Sequence, residues 1–257
     1  MNLNSINISL DDIEVPENYA DDAGFQDDTV KPRKRAPEAI KNPDDIQKLS
    51  DYFIVNEKWR DNMLFICGIN FGLRCGDLLK LTFGRIITMS TGKPTFKEKF
   101  EIIEEKTKKR RVVGINAAVR KAVCLYLKHS NQKYGSDYMF VSECNKESNK
   151  EPKPLRVGSV ERILKAAAAA TGVDLIIATH TLRKTFAYHM IMQAPDRSRA
   201  IDILQKILGH DSQSDTLLYA GITDSEIRDM YQNINLGYGH SELIALDGTR
   251  EIRRRIA

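Results

Sequence analysis

The sequence predicts a mainly helical α+β domain that contains one small antiparallel β-sheet. Two observations lead to this class. Apolar residues recur at helical spacing through most of the chain from Asn42 onward. A single stretch, Thr95–Ile115, instead alternates and is rich in Phe, Ile and Val, with the basic run KTKKRR at residues 106–111. This pattern predicts a hairpin or short meander whose turn is the basic run. The sequence has no internal repeat.

Start and stop signals support the predicted helices. Asn42 is a good N-cap, and Pro43 suits the first helical position. Gly172 ends an alanine-rich helix. The helices and helical turns predicted after the first are Trp59–Asn70, Gly76–Leu81, Ala117–Tyr134, Val157–Thr171, His180–Gln193, Ser198–Leu208, Asp215–Tyr219 and Thr223–Asn233, with a short strand at Tyr138–Val141.

The composition indicates a globular chain with a basic body. The 257 residues are 42% hydrophobic and 29% charged, which is ordinary for a soluble domain and allows a sizeable core. Residues 1–30 hold eight acidic side chains and no Lys or Arg, so residues 31–257 hold 39 basic against 27 acidic side chains, a net charge of +12. Such a surplus favours a polyanionic partner, although solvated surface lysines would produce it as well.

The sequence lacks the features of a membrane, secreted or metal-dependent protein. The longest apolar run, at residues 63–73, is too short to span a bilayer, and the first residues do not have the pattern of a secretory signal. The four cysteines form no CxxC pair and do not cluster with histidines. We therefore expect a cytoplasmic protein with no membrane partner, no structural metal and no cofactor.

Five polar side chains carry the chemical signal. His180 and Arg183 are one helical turn apart on one helix face, and His210 and Tyr219 follow them. Arg74 lies at a corner between two predicted helices, a position that favours anions. A tyrosine can attack phosphorus if it is helped to lose a proton with an ordinary pKa of about 10, and two arginines suit phosphate oxygens. Singly, each residue is more often a packing or surface residue; together they indicate phosphodiester cleavage.

The spacing of these residues resembles that of the tyrosine recombinase (phage integrase) family. The family's first box is Gly-Leu-Arg followed by an acidic residue and leucines, and residues 72–79 match it. The second box, His-x-x-Arg, is matched by His180 and Arg183. A Leu-Gly-His follows at 208–210, and the nucleophile position, nine residues after that histidine, is Tyr219. The resemblance implies a tyrosine-recombinase-like catalytic domain.

The resemblance also implies a role for each of the five residues. Tyr219 would attack the scissile phosphate, giving a 3′-phosphotyrosyl link and a free 5′ hydroxyl, and a partner strand's hydroxyl would reverse the step. Arg74 and Arg183 would hold the phosphate oxygens. His180 would assist proton transfer, and His210 would hydrogen-bond the phosphate. Neither ATP nor a metal is implied.

The family's catalytic lysine stands in the turn of a β-hairpin. Lys106, in the sequence EEKTKKRRVVGI, is our first choice for this general acid, with Lys108 and Lys109 as alternatives because a turn can slip by two residues. The sequence departs from the family pattern at two positions outside the reaction. Gly114 replaces a usual proline at the end of the basic strand, and Lys184 stands where a histidine is common.

The resemblance covers roughly residues 40–235. We therefore expect an acidic, disordered tail and basic linker over residues 1–40, a catalytic domain over 41–235, and a C-terminal tail over 236–257 that packs in trans. Family members act as tetramers on double-stranded DNA, usually with a core-binding domain ahead of the catalytic one. The sequence shows no such domain, so we expect it, or an accessory protein, to act in trans.

Two other functions fit the same sequence. A type IB topoisomerase-like enzyme would use the same chemistry to relax supercoiled DNA without a preferred sequence. A catalytically inactive DNA-binding accessory protein would keep the fold and would not cut. The complete set of charged and nucleophilic positions favours a site-specific recombinase or integrase that breaks and rejoins strands.

Overall fold

The computed structural model of the protein describes residues 36–90, 93–130, 137–142 and 153–222. Within these ranges the chain forms nine helices and four strands. The helices are α1 (Pro43–Val55), α2 (Trp59–Phe71), α3 (Cys75–Leu79), α4 (Phe83–Ile86), α5 (Ala117–Lys128), α6 (Val157–Thr171), α7 (Thr179–Met192), α8 (Arg197–Leu208) and α9 (Gln213–Ala220). The strands are β1 (Ile87–Ser90), β2 (Lys93–Phe96), β3 (Lys99–Ile103) and β4 (Arg110–Gly114). The mainly helical α+β class is confirmed.

The predicted caps begin and end the helices as expected. Asn42 Oδ1 accepts a hydrogen bond from the Asp44 amide at 2.9 Å, which satisfies one free N–H group at the start of α1. At the end of α2, Gly72 adopts a left-handed φ of 56°. A Cβ atom there would lie 2.2 Å from Phe186 Cδ1, so both the backbone angle and the packing require glycine. This glycine turns the chain into the corner that carries Arg74.

The core is built around α2, which packs against α1, α5 and α7. Its side chains Met63, Leu64 and Phe65 are fully buried. A second apolar cluster joins α7, α8 and α9 through residues such as Ile191 and Leu204, with Tyr219 packed at its edge. Because α7 contributes to both clusters, it fixes the position of α9 relative to the first cluster.

The four strands form two hairpins, where the sequence predicted one sheet. Strands β1 and β2 pair antiparallel with Ile87 opposite Phe96, and β3 and β4 pair with Phe100 opposite Val113. The described strands join into two separate two-stranded sheets. Residues 104–109 join β3 to β4, so Arg110 and Arg111, which were expected in the basic turn at 106–111, belong to β4 instead. The first hairpin was not predicted because β1 has four residues and follows α4 directly, which leaves too few positions for an alternating pattern.

Two predicted elements differ in extent. Helix α5 ends at Lys128 instead of Tyr134, and the next residue, His129, stacks on Trp59 with ring centroids 4.2 Å apart. The His129 amide donates to the Tyr126 carbonyl at 3.1 Å, a bond from i to i−3 that tightens the last turn at the end of the helix. The predicted strand 138–141 makes only isolated bridges, because its two neighbours reach it at one residue each.

Several expectations lie outside the described residues. These are the acidic tail and basic linker up to residue 35, the helix predicted at 223–233 and the C-terminal tail from 236. Among the described helices, none is both long enough and apolar enough to cross a membrane.

Candidate active site

Arg183 on α7 joins the two corners that carry the other candidate residues. Its side chain is 5% exposed. Nη1 donates to the Gly72 carbonyl at 3.1 Å, and Nη2 donates to the Leu208 carbonyl at 3.3 Å. The first carbonyl ends α2 just before Arg74, and the second ends α8 just before His210. One buried guanidinium therefore connects three segments that are far apart in the sequence.

Arg74 is the N-cap residue of α3, with an extended backbone and a side chain that is 25% exposed. Its Nη1 forms an ion pair with Glu104, at the end of β3. Three residues further along α3, the buried carboxylate of Asp77 accepts a hydrogen bond from the Glu105 amide at 2.9 Å. These two contacts fasten the Arg74 corner to the β3–β4 hairpin. We call Arg74 and Arg183 the arginine clamp.

Tyr219, near the end of α9, directs its hydroxyl toward this clamp. The hydroxyl lies 3.5 Å from His180 Nδ1. Burial raises the pKa of Tyr219, and the charges of Arg183 and Arg74 oppose that rise. The ammonium of Lys184 lies 5.5 Å from the centre of the tyrosine ring, within the range of a cation–π contact. The nucleophile candidate is thus held among four positively charged or proton-accepting groups.

The two histidines carry lowered pKa values. For His180, partial burial and the charges of Arg183 and Lys184 lower the pKa, although the residue remains exposed on one side. For His210, burial and the charge of Arg183 lower it. Both rings are therefore neutral near pH 7 when no anion is bound. The His210 ring packs edge-on against Tyr219, with centroids 5.1 Å apart.

The hydrogen bonds near Nδ1 indicate which tautomer of neutral His210 forms. Its Nδ1 lies 3.2 Å from the Thr216 hydroxyl, and that hydroxyl donates to the Ser212 carbonyl at 3.1 Å. Because the hydroxyl hydrogen is used for Ser212, the oxygen accepts from Nδ1–H of the histidine. The Nε2 atom of the neutral ring then carries a lone pair and no proton.

The three candidate lysines occupy different positions around the hairpin turn. Lys106 is exposed in the turn, and its charge contributes to the lowered pKa of His180. Lys109 Nζ lies 4.0 Å from the place that a Cβ atom on Gly209 would occupy, beside His210. Lys108 has a left-handed φ of 56° and lines a separate polar groove. Lys106 and Lys109 therefore lie on the side of the two histidines.

Two residues of the site were not predicted from the sequence. Glu104 is 4% exposed and contacts both arginines of the clamp. Arg111 donates to the carbonyls of Phe71 and Gly72 at 2.6 and 2.9 Å, and burial lowers its pKa to about 10. Strand alternation could have found both residues. Glu104 continues the inward series of Phe100, and Arg111 that of Val113.

The fold and this cluster define the class of the protein. The sequence profile of the Phage integrase family matches residues 42–226, and the chain belongs to that family. Among its relatives, the probable integrase/recombinase YoeC of Bacillus subtilis is 35% identical over 193 residues, which cover 75% of this chain and 94% of YoeC. A tyrosine recombinase of Pseudothermotoga lettingae is 30% identical, over 76% of this chain and 60% of its own length.

Solved structures share the fold. The crystal structure of XerA recombinase superposes with a TM-score of 0.57 at 22% identity, over 79% of this chain and 68% of XerA. The XerH site-specific recombinase in a post-cleavage complex gives 0.53 at 17% identity, over 77% of this chain and 54% of XerH. The chain thus spans only part of these proteins. The predicted family and fold class are confirmed.

Proposed function

We propose that this protein is a site-specific recombinase that cuts and rejoins double-stranded DNA through a 3′-phosphotyrosyl intermediate on Tyr219. One observation carries the proposal: the Tyr219 hydroxyl lies 3.5 Å from His180 Nδ1, beside the buried guanidinium of Arg183. The relatives support it, since one is named a probable integrase/recombinase and another a tyrosine recombinase.

In the cleavage step, the bond from Tyr219 Oη to phosphorus forms while the bond from phosphorus to the 5′ oxygen breaks. Because burial raises the pKa of Tyr219, the phenol is protonated at neutral pH and needs a base. His180 is neutral there, because its pKa is lowered, and its Nδ1 faces the hydroxyl. The phenolic proton therefore passes to His180 as the tyrosine attacks.

The arginine clamp supplies fixed positive charge for the non-bridging oxygens. Arg183 is held by two backbone carbonyls before any substrate binds, so little reorganisation is needed as negative charge develops in the transition state. His210 acts differently. Its Nε2 carries no proton in the neutral ring, and a phosphate beside it favours the imidazolium form, which donates a hydrogen bond. DNA binding should thus raise the pKa of His210.

The 5′ oxygen needs a proton as it leaves, and we assign this role to Lys106, with Lys109 as its rival. Both lie on the side of the histidines, whereas Lys108 lines another groove. A substrate with sulfur in place of the bridging 5′ oxygen separates them, because a thiolate leaves without a proton. Alanine at the true general acid should block cleavage of the oxygen substrate and spare the sulfur substrate. Lys108→Ala is the matched control.

The partners and domain limits follow from the same proposal. The XerH structure is a complex with a palindromic difH substrate, which supports a DNA site as the substrate; we expect double-stranded DNA and a homotetramer on two duplexes. We take residues 1–40 as tail and linker, 41–235 as the catalytic domain and 236–257 as a segment that packs on a neighbouring copy. Truncation after residue 221 should abolish oligomerisation on DNA. Oligomers that remain intact would refute the packing of this segment on a neighbouring copy. We further propose that a core-binding domain or an accessory protein contacts the DNA in trans.

The test is a covalent protein–DNA adduct. The full chain is incubated with a pool of nicked duplexes of randomised sequence, on which cleavage releases a short strand and traps the intermediate. Tyr219→Phe should give no adduct. Tyr188→Phe, on neighbouring α7, is the matched control and should give as much adduct as the wild type.

Each outcome separates the candidate functions. An adduct that persists in Tyr219→Phe would refute the assignment of the nucleophile. Wild-type protein that binds the pool without forming an adduct would be an accessory protein. An adduct-forming enzyme that relaxes supercoiled plasmid and joins no two sites would be of the type IB topoisomerase kind.

A further inference from the structure

We propose that Glu104 is a positioning residue that holds the arginine clamp and links it to the hairpin turn that carries Lys106. The inference deepens the proposed function and rests on it for its effect on catalysis. Glu104 directly follows β3, one residue after the last paired position of that strand. Among the described residues its carboxylate contacts no candidate nucleophile or proton-transfer group, and two of its contacts are with the clamp arginines.

The carboxylate contacts four side chains. Oε2 accepts hydrogen bonds from Arg74 Nη1 and, at 2.9 Å, from the Thr107 hydroxyl. Oε1 lies 3.4 Å from Arg183 Nη1 and 3.6 Å from Arg111 Nη1. One oxygen thus connects the first clamp arginine to the turn, and the other connects the second clamp arginine to β4.

The charge of Glu104 is what allows three guanidinium groups to share this space. Arg111 and Arg183 are 9% and 5% exposed, so water screens their mutual repulsion poorly. Burial raises the pKa of Glu104, but hydrogen bonds from Thr107 and Arg74 and the charge of Arg183 outweigh it, and the pKa is lowered. The carboxylate is therefore ionised at neutral pH and acts as the shared counter-ion.

The backbone of Glu104 also closes the turn. Its amide donates to the Lys109 carbonyl at 3.0 Å, and its carbonyl accepts from the Lys108 amide at 2.8 Å. Together with the Thr107 hydroxyl, these bonds set the path of the chain on both sides of Lys106. A change at the carboxylate should therefore move the general acid and the clamp together.

Glu104→Gln removes the charge and keeps the side-chain length. Glu105→Gln is the matched control, since it makes the same charge change one residue away, on a side chain that is 62% exposed and paired with Lys80. Glu104→Asp keeps the charge with a shorter reach. Thr107→Val leaves every charge in place and removes the hydroxyl that links the carboxylate to the turn and that accepts from the Lys109 amide at 3.4 Å.

The first readout is the rate constant of adduct formation in a single turnover, with the affinity for the nicked duplex pool measured beside it. Misplaced catalytic groups can cost about a hundredfold, so we expect Glu104→Gln to lower the rate constant about 10- to 100-fold, with Glu104→Asp recovering part of it. Affinity should change less than about threefold, because many phosphate contacts determine it. Mere loss of folded protein would lower the adduct yield and leave the rate constant unchanged.

The second readout needs no activity. Amide hydrogen exchange at residues 105–109 and 72–78 should be faster in Glu104→Gln than in Glu105→Gln. If Glu104→Gln does not fold, Thr107→Val should still speed exchange in the turn. Equal exchange in the variant and the control, or an unchanged rate constant, would overturn the proposal. Faster exchange in a protein whose wild type forms no adduct would keep the positioning role and refute the proposed function.

Discussion

Gly72 should be the least replaceable glycine in the described part of the chain. It ends α2 at a φ of 56°, and its carbonyl accepts from both Arg111 and Arg183. A Cβ atom would lie 2.2 Å from Phe186 Cδ1, an aromatic ring atom that cannot move without repacking α7 against α2. Gly72→Ala therefore adds a steric overlap to a strained backbone angle.

The two costs can be separated. Alanine in the left-handed region costs about 1–2 kcal/mol. Relief of an overlap in a packed interior costs typically about 1–3 kcal/mol more, so Gly72→Ala should lose about 2–5 kcal/mol of unfolding free energy. Gly172 provides the control: its φ is 69°, and a Cβ atom there has no neighbour within 4 Å. Gly172→Ala should lose only the backbone part, about 1–2 kcal/mol.

Urea unfolding at 25 °C measures both losses, provided that each variant unfolds in one transition. The Phe186→Ala background removes the overlapping ring, so Gly72→Ala should there cost no more than Gly172→Ala does in the wild type. The reasoning would be refuted if Gly72→Ala and Gly172→Ala lost the same unfolding free energy within about 0.5 kcal/mol, because the overlap with Phe186 would then cost nothing measurable. If the losses of unfolding free energy for Gly72→Ala and Phe186→Ala simply add in the double variant, the overlap has no effect and the reasoning is refuted as well.

Three further predictions address the site and the core. Arg183→Lys should slow adduct formation about 10²- to 10³-fold, because one ammonium cannot span two carbonyls and a phosphate, while Arg162→Lys on the surface should match the wild type. Since partial burial and neighbouring positive charges lower the pKa of His180 from its ordinary value of 6.5, its ring in the DNA-free protein should gain a proton only below that pH; an NMR titration measures this, and a midpoint above 6.5 would contradict the base role. Iodoacetamide at pH 8 should alkylate exposed Cys124 and leave Cys67 unmodified in the folded protein, because burial raises the pKa of the Cys67 thiol and excludes the reagent; mass spectrometry measures both.

The candidate site was predicted largely because its residues follow local patterns. The His180–Arg183 pair sits one helical turn apart, and a left-handed glycine at 209 stops α8 where the sequence Leu-Gly-His predicts it. Such signals depend only on neighbouring residues, so they can be recognised without knowledge of the fold. Arg74 and Arg183 are brought together by the tertiary structure, where both contact Glu104. The family resemblance predicted that these two arginines share one site, since no local rule relates residues that are so far apart in the sequence.

Glu104 shows what local reasoning left out. A carboxylate in a run of basic residues suggests a solvated turn, and only burial reveals its contacts with three arginines. The alternation that places Phe100 inward extends to Glu104, but a charged residue at an inward position is usually discounted. The first hairpin and the early end of α5 were missed for a different reason, since short strands and helix ends depend on packing more than on pattern.

The two clamp arginines are not equivalent, and this affects how their variants are interpreted. A guanidinium has five N–H groups. Within the described part of the chain, Arg183 directs Nη1 toward Gly72 and Glu104 and one N–H of Nη2 toward Leu208, so only Nε and the second N–H of Nη2 can face the substrate and Tyr219. Arg74 commits Nη1 to Glu104 and is partly exposed. A substitution at Arg183 therefore disturbs three segments together with the phosphate site, whereas one at Arg74 removes charge from the phosphate and breaks one structural link, the ion pair with Glu104. Activity lost at Arg74 in a stably folded variant is thus the cleaner measure of what the clamp contributes to catalysis.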